Sequence, residues 1–139
     1  MNYKEIGILL VEDDGVDVMN VKRSFRKNNI TNPLYVASDG IEALEFLRTE
    51  TVNIKPKIVL LDLNMPRMNG LEFLREIRSD DNLRNLSVIV LTTSNDDRDK
   101  IEAYDLNVAG YILKPVEFEN FVSAVATLNL YWSLIELPE

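Results

Sequence analysis

Four apolar stretches of this chain stop at residues that could do chemistry. "LLVEDD" ends in Glu12, Asp13 and Asp14, "KIVLLDLNMP" runs into Asp62, "VIVLTTS" ends in Thr92, Thr93 and Ser94, and "YILKP" ends in Lys114. A carboxylate at the end of a run as apolar as 58–61 costs several kcal/mol in a low dielectric unless it is paired or meets water. Glu12, Asp13 and Asp62 brought together would repel, and a divalent cation is the natural remedy. The chain contains no His and no Cys, so such a cation would be held by oxygen alone. That donor set suits Mg2+, Mn2+ or Ca2+, and Mg2+ best where protein ligands are few and waters several. Lys114 would add an ammonium and Thr92 a hydroxyl. Cation, ammonium, hydroxyl and backbone N–H groups around one carboxylate are suited to stabilising the spread negative charge of a phosphoryl group in transfer. Asp62 is then the nucleophile, forming an acyl phosphate.

The elements that must carry these residues alternate along the chain. Apolar runs suited to strands buried on both faces occur at 6–11, 34–37, 58–61, 88–91 and 111–113. Between and after them, 16–25, 41–47, 71–77, 101–106 and 118–128 place apolar residues three or four apart, as helices do. Five strands alternating with five helices predict an α/β, doubly wound parallel sheet, because right-handed crossovers leave few other solutions. In such folds the ligand site lies beyond the carboxyl ends of the strands, near the point where strand order reverses. With the order 2-1-3-4-5, the ends of the other four strands share one edge, while Ser38 and Asp39 at the end of the second fall outside the cluster.

Composition narrows the function classes. A chain of 139 residues, 46% hydrophobic, with no repeat or low-complexity segment, predicts one domain over 1–139. A net charge of −8 argues against a nucleic-acid partner. The absence of Cys fits a reducing compartment, and no run is long enough for a membrane span, so the expectation is a cytoplasmic protein with no membrane partner. An aspartate-nucleophile phosphatase would need a second acid two residues after Asp62, where Asn64 stands. A dinucleotide binder would want a glycine-rich first turn, where the chain reads "EDDGVD". Several residues have plain structural readings. Asp14 is expected to cap a helix, Thr93 reflects β propensity, Asp96, Asp97 and Asp99 form a solvated first turn, and Met65, Met68 and Gly70 serve turns and packing.

Taken in this order and spacing, "LLVEDD", "LLDLNMPRMNG", "VIVLTTS" and "YILKP" resemble the receiver domains of two-component response regulators, over essentially the whole chain. The resemblance implies a flavodoxin-like fold and a single-domain regulator that takes a phosphoryl group from a histidine kinase onto Asp62 in a Mg2+-dependent reaction, with no enzymatic activity beyond self-directed phosphotransfer and dephosphorylation. It further implies that Glu12 and Asp13 form the acidic pair, with Asp13 ligating the metal directly and Asn64 offering its backbone carbonyl. Thr92 and Lys114 would bind the phosphoryl oxygens, Lys114–Pro115 would be a cis peptide, and Tyr111 is the aromatic whose rotamer follows phosphorylation. Thr93 departs from the family pattern, in which Ala or Gly often follows the switch hydroxyl. The "RTETVNIKPK" connection, the "VLTTS" run and the ending "YWSLIELP" are similar to stand-alone regulators that serve cyanobacterial phytochrome histidine kinases. The alternatives are a regulator of a non-light kinase and a non-phosphorylated scaffold that retains only the fold.

Two expectations concern lifetime and output. Asn64 and Ser94, two residues past Asp62 and Thr92, are positioned to admit or exclude the hydrolytic water. The segment 129–139 forms a C-terminal apolar extension in which Leu130, Tyr131, Trp132, Leu134 and Ile135 point in nearly all directions on a helix. An apolar surface of that kind usually marks an association site. It predicts a homodimer through the last two helices and the fifth strand.

Overall fold

The computed structural model describes residues 6–49, 56–63, 68–92, 106–113 and Glu119. Within them run β1 (Gly7–Val11), α1 (Gly15–Lys27), β2 (Leu34–Ala37), α2 (Gly40–Arg48), β3 (Pro56–Asp62), α3 (Gly70–Ser79), β4 (Ser87–Thr92) and β5 (Gly110–Leu113). The strands form one sheet in the order β2-β1-β3-β4-β5, parallel at every pairing. This matches the predicted fold class and strand order. The first three predicted helices are present; the fifth lies outside the described residues except for Glu119, which is helical, as does most of the fourth, whose last residue, Leu106, stands in a turn.

Alternation along each strand divides the core in two. Leu9, Val11, Val59, Leu61, Val88 and Val90 pack on one face with Ala43, Leu44 and Leu47 of α2 and Phe73, Leu74 and Ile77 of α3. Ile8, Leu10, Ile58, Leu60, Ile89, Leu91 and Ile112 pack on the other with Val21 and Phe25 of α1. Successive strand side chains point to opposite faces, so a strand covered on both sides must be apolar at every position. All five residues of β1 are buried for this reason.

Helix ends are set by local hydrogen bonds. Asp14 caps α1, its carboxylate accepting from the N–H groups of Val16 (2.8 Å) and Asp17 (3.2 Å), which is the capping role expected for it. At the other end, Asn29 takes a left-handed φ of 60°, and the Ile30 N–H donates to the Phe25 carbonyl at 2.9 Å. This closes the helix in a Schellman motif. Asp39 caps α2, accepting from Glu42 N–H at 2.9 Å. Asn69 and Glu72 form a reciprocal capping box on α3.

Candidate functional site

The sheet register delivers the acids. Val11 pairs with Leu61 across β1 and β3, so the next residue on each strand, Glu12 and Asp62, meets on the following rung. Asp62 in turn pairs with Leu91 of β4, and Thr92 pairs with Leu113 one rung further. Glu12, Asp13 and Asp62 each bring a carboxylate oxygen to within 4.8 Å of the others. Glu12 and Asp62 are buried, at 2% and 5% exposure, while Asp13 is exposed. The strand-end carboxylate is therefore not released into water; it is buried beside a second acid. The Asp14 N–H donates to Glu12 Oε2 at 3.2 Å, so the residue that starts α1 also holds the acid before it.

Other predicted residues fall as follows. The Thr92 main chain ends β4; its side chain lies outside the described residues, as do Asn64, Thr93, Ser94, Lys114, Pro115 and the predicted interface residues Leu130, Tyr131, Trp132, Leu134 and Ile135. Tyr111, in β5, is half-buried and packs against the core on the α2 and α3 face. Asp39 takes no part in the acidic group, as the strand order requires; it is buried as the cap of α2.

Two features go beyond the sequence expectations, which gave Met68 and Gly70 turn and packing roles and did not single out Arg78. The first is the main-chain anchoring of Leu63 and Met68 by the first residues of two helices. The Gly70 N–H donates to the Leu63 carbonyl at 2.9 Å, and the Gly40 N–H donates to the Met68 carbonyl at 3.2 Å. The starts of α3 and α2 thus hold Leu63 and Met68 respectively. The signal available in the sequence was a glycine at the head of each helix. The second is Arg78, whose guanidinium donates to the carbonyls of Leu106, Arg84, Leu86 and Asn107. Burial lowers its pKa from the usual arginine value.

Residues 8–126 match the response regulator receiver domain. The chain is 38% identical over 127 residues to the probable methanogenesis regulatory protein FilR2 of Methanothrix harundinacea, covering 90% of this chain and 82% of FilR2. It is 34% identical over 135 residues to the response regulator Rcp1 of Synechocystis, covering 94% and 92%. Among solved structures, the bacteriophytochrome response regulator AtBRR superposes with a TM-score of 0.82 at 36% identity, over 96% of this chain and 98% of that one. The phosphorylated cyanobacterial phytochrome response regulator RcpA does so with a TM-score of 0.76 at 33% identity, over 96% and 99%. Rcp1 has been solved in a Mn2+-bound form, with a TM-score of 0.74 at 32% identity over 96% and 99%. With a family match across most of its length and relatives aligned nearly end to end, the chain belongs to the response regulator receiver domain family.

Proposed function

We propose that this protein is a phospho-switch in which Asp62 accepts a phosphoryl group from the phosphohistidine of a sensor histidine kinase. One observation carries the reading: the carboxylates of Glu12, Asp13 and Asp62 converge to within 4.8 Å at the carboxyl edge of a parallel sheet. An all-oxygen set of carboxylates this close together, with no His or Cys in the chain, fits a hard divalent cation. Mg2+ would be held by Glu12, Asp13, Asp62 and the backbone carbonyl of Asn64, and Mn2+ or Ca2+ would substitute. When bound, the cation neutralises charge on the carboxylates and on the phosphoryl oxygens.

The protein's own groups supply the rest. An Asp62 oxygen attacks phosphorus while the bond to the donor imidazole breaks. Thr92 and Lys114 bind the phosphoryl oxygens, Tyr111 follows their movement, and Asn64 and Ser94 set how readily water hydrolyses the product. Chemistry is confined to the chain's own aspartate, so the product is a signal rather than a released compound. A kinase must reach an acceptor that is buried, and α1 offers a place to dock: Val16 and Met19, on the first two turns beside the acids, are 68% and 59% exposed. The likeness to Rcp1, RcpA and AtBRR favours a phytochrome histidine kinase as the donor, with output through a homodimer of the last two helices and the fifth strand.

The test is incubation with acetyl phosphate and Mg2+. The parent gains one acid-stable, base-labile phosphoryl group, and Asp62→Asn remains folded and unlabelled. A scaffold would leave both unlabelled, and equal labelling of both would refute the acceptor assignment. Phosphotransfer from a panel of kinases then identifies the donor class.

A further inference from the structure

We propose that Gly70 is a positioning residue for the phosphoryl acceptor. The missing side chain lets the first turn of α3 close onto the backbone of Asp62 and Leu63, and this contact fixes where the Asp62 carboxylate stands relative to Glu12 and Asp13. The inference rests on the reading of Asp62 as an acceptor beside a divalent cation.

The geometry is specific. A Cβ at Gly70 would stand 2.5 Å from the Asp62 carbonyl oxygen and 2.6 Å from the Leu63 Cα, both main-chain atoms, and 3.1 Å from Leu63 Cδ2. Main-chain atoms cannot rotate away, so an alanine here forces the backbones apart by about 0.5 Å, the difference between 2.5 Å and the 3.0 Å below which such contacts essentially never occur. The helix is poorly placed to yield, because Phe73, Leu74 and Ile77 are fully buried beneath it. The body of β3 cannot yield either, since it is paired on both sides. The atoms that a Cβ would meet are those of Asp62 and Leu63 themselves, at the end of that strand. The displacement therefore falls on Asp62 and Leu63. Sites of this kind tolerate about 0.5 Å, and a misplacement of about 1 Å costs on the order of a hundredfold in rate.

Gly40 supplies an internal control. It too is the first residue of a helix, donating to the Met68 carbonyl. A Cβ there would meet Met68 Cγ at 2.7 Å, Sδ at 2.9 Å and Cβ at 3.0 Å, all side-chain atoms. Rotation of the flexible methionine side chain moves Cγ and Sδ aside, and the Cβ, at 3.0 Å, has to give by only a few tenths of an ångström. Gly→Ala brings the same change in helix propensity at both positions, so the difference between the two variants isolates the push on Asp62.

The experiment compares the full-length parent, Gly70→Ala and Gly40→Ala in Mn2+ titrations followed by calorimetry, in labelling by acetyl phosphate, and in thermal unfolding without metal. Gly70→Ala should lose several-fold in Mn2+ affinity and at least tenfold in labelling rate, with Gly40→Ala within twofold of the parent in both. If Gly70→Ala is partly unfolded, the titration is repeated in trimethylamine N-oxide, which favours the compact state, and referred to the folded fraction from circular dichroism. Parent-like Mn2+ affinity in Gly70→Ala would overturn the proposal, because a merely structural glycine lowers stability without moving the metal site. An equal loss in Gly40→Ala would also overturn it. A parent that takes no phosphoryl group on Asp62 refutes the acceptor reading instead, and the Mn2+ titration still decides the placement.

Discussion

Replacing Arg78 by Met should cost this fold about 2–3 kcal/mol, although the residue is far in sequence from every acid of the site. Its guanidinium, on the last turn of α3, donates to Arg84 O at 2.9 Å and Leu86 O at 2.8 Å before β4, and to Leu106 O at 2.7 Å and Asn107 O at 3.0 Å before β5. Methionine keeps much of the apolar stem and removes every donor. The bonds to Arg84 and Asn107 are exposed, so water replaces them at little cost. Those to Leu106 and Leu86 are part-buried, and hydrogen bonds to a charged group contribute about 1.5–3 kcal/mol each. Two at the lower value give about 3 kcal/mol, and the lost hydration of the cation, which also lowers its pKa, trims the sum. At roughly 4 °C per kcal/mol for a domain of this size, the melting temperature should fall by about 10 °C.

The assay is urea unfolding followed by far-ultraviolet circular dichroism, with the slope checked for constancy. Arg78→Lys should recover at most half of the loss, because a compact ammonium with three donors cannot reproduce a planar fork spread over separate carbonyls. A loss below about 0.5 kcal/mol in Arg78→Met, the range of an ordinary surface change, would refute the reasoning, and full recovery by lysine would refute the geometric part of it. The clamp bears on the site through β5. Asn107 sits at a φ of 63°, Ala109 N–H donates to Val88 O at 2.8 Å, and Tyr111 then pairs with Val90.

Asp13→Asn should weaken Mg2+ binding and phosphorylation together while changing metal-free stability by less than about 1 kcal/mol, because Asp13 is exposed; an unchanged Mg2+ affinity by calorimetry would contradict it. Thr92→Ala and Lys114→Ala should still take some label from acetyl phosphate but lose the shift of the Tyr111 amide resonance on phosphorylation, and parent-sized shifts in both would contradict the switch. In sedimentation the parent should be a dimer, and Trp132→Ala and a chain ending at Asn129 monomers; a monomeric parent or an equally dimeric truncated chain would remove the interface assignment.

What could be read from the sequence was whatever repeats at short range. The strands were visible because burial on both faces demands unbroken apolar runs, and α1 to α3 because each has one apolar stripe. Asp14 was recognisable as a cap because a capping carboxylate acts on N–H groups two and three residues on. Convergence of Glu12 and Asp62 followed once the strand order was assumed, since register carries one strand end to the next. Whether Asp62 would be buried or solvated did not follow, because that depends on how closely the helix starts roof the sheet edge. Arg78 was invisible for a related reason: its acceptors are main-chain carbonyls 6, 8, 28 and 29 residues away, which no side-chain pattern records.

The burial of Asp62 and the need for Gly70 have one origin. β3 runs through the middle of the sheet and is buried from Ile58 to Asp62, so the chain must turn only after the acid has been carried to the edge. α3 then begins eight residues later and must return over the same strand end to bury Phe73, Leu74 and Ile77 on the sheet. A helix that starts so soon and packs so close has its first turn against Asp62 and Leu63, where only hydrogen fits. The carboxylate at that strand end is buried, and the register with β1 puts Glu12 beside it. Low dielectric strengthens every charge interaction, so the arrangement that makes two buried acids costly is the one in which a cation and a phosphoryl group have most effect. The apolar run that ends in Asp62 is what gives that acid its chemistry.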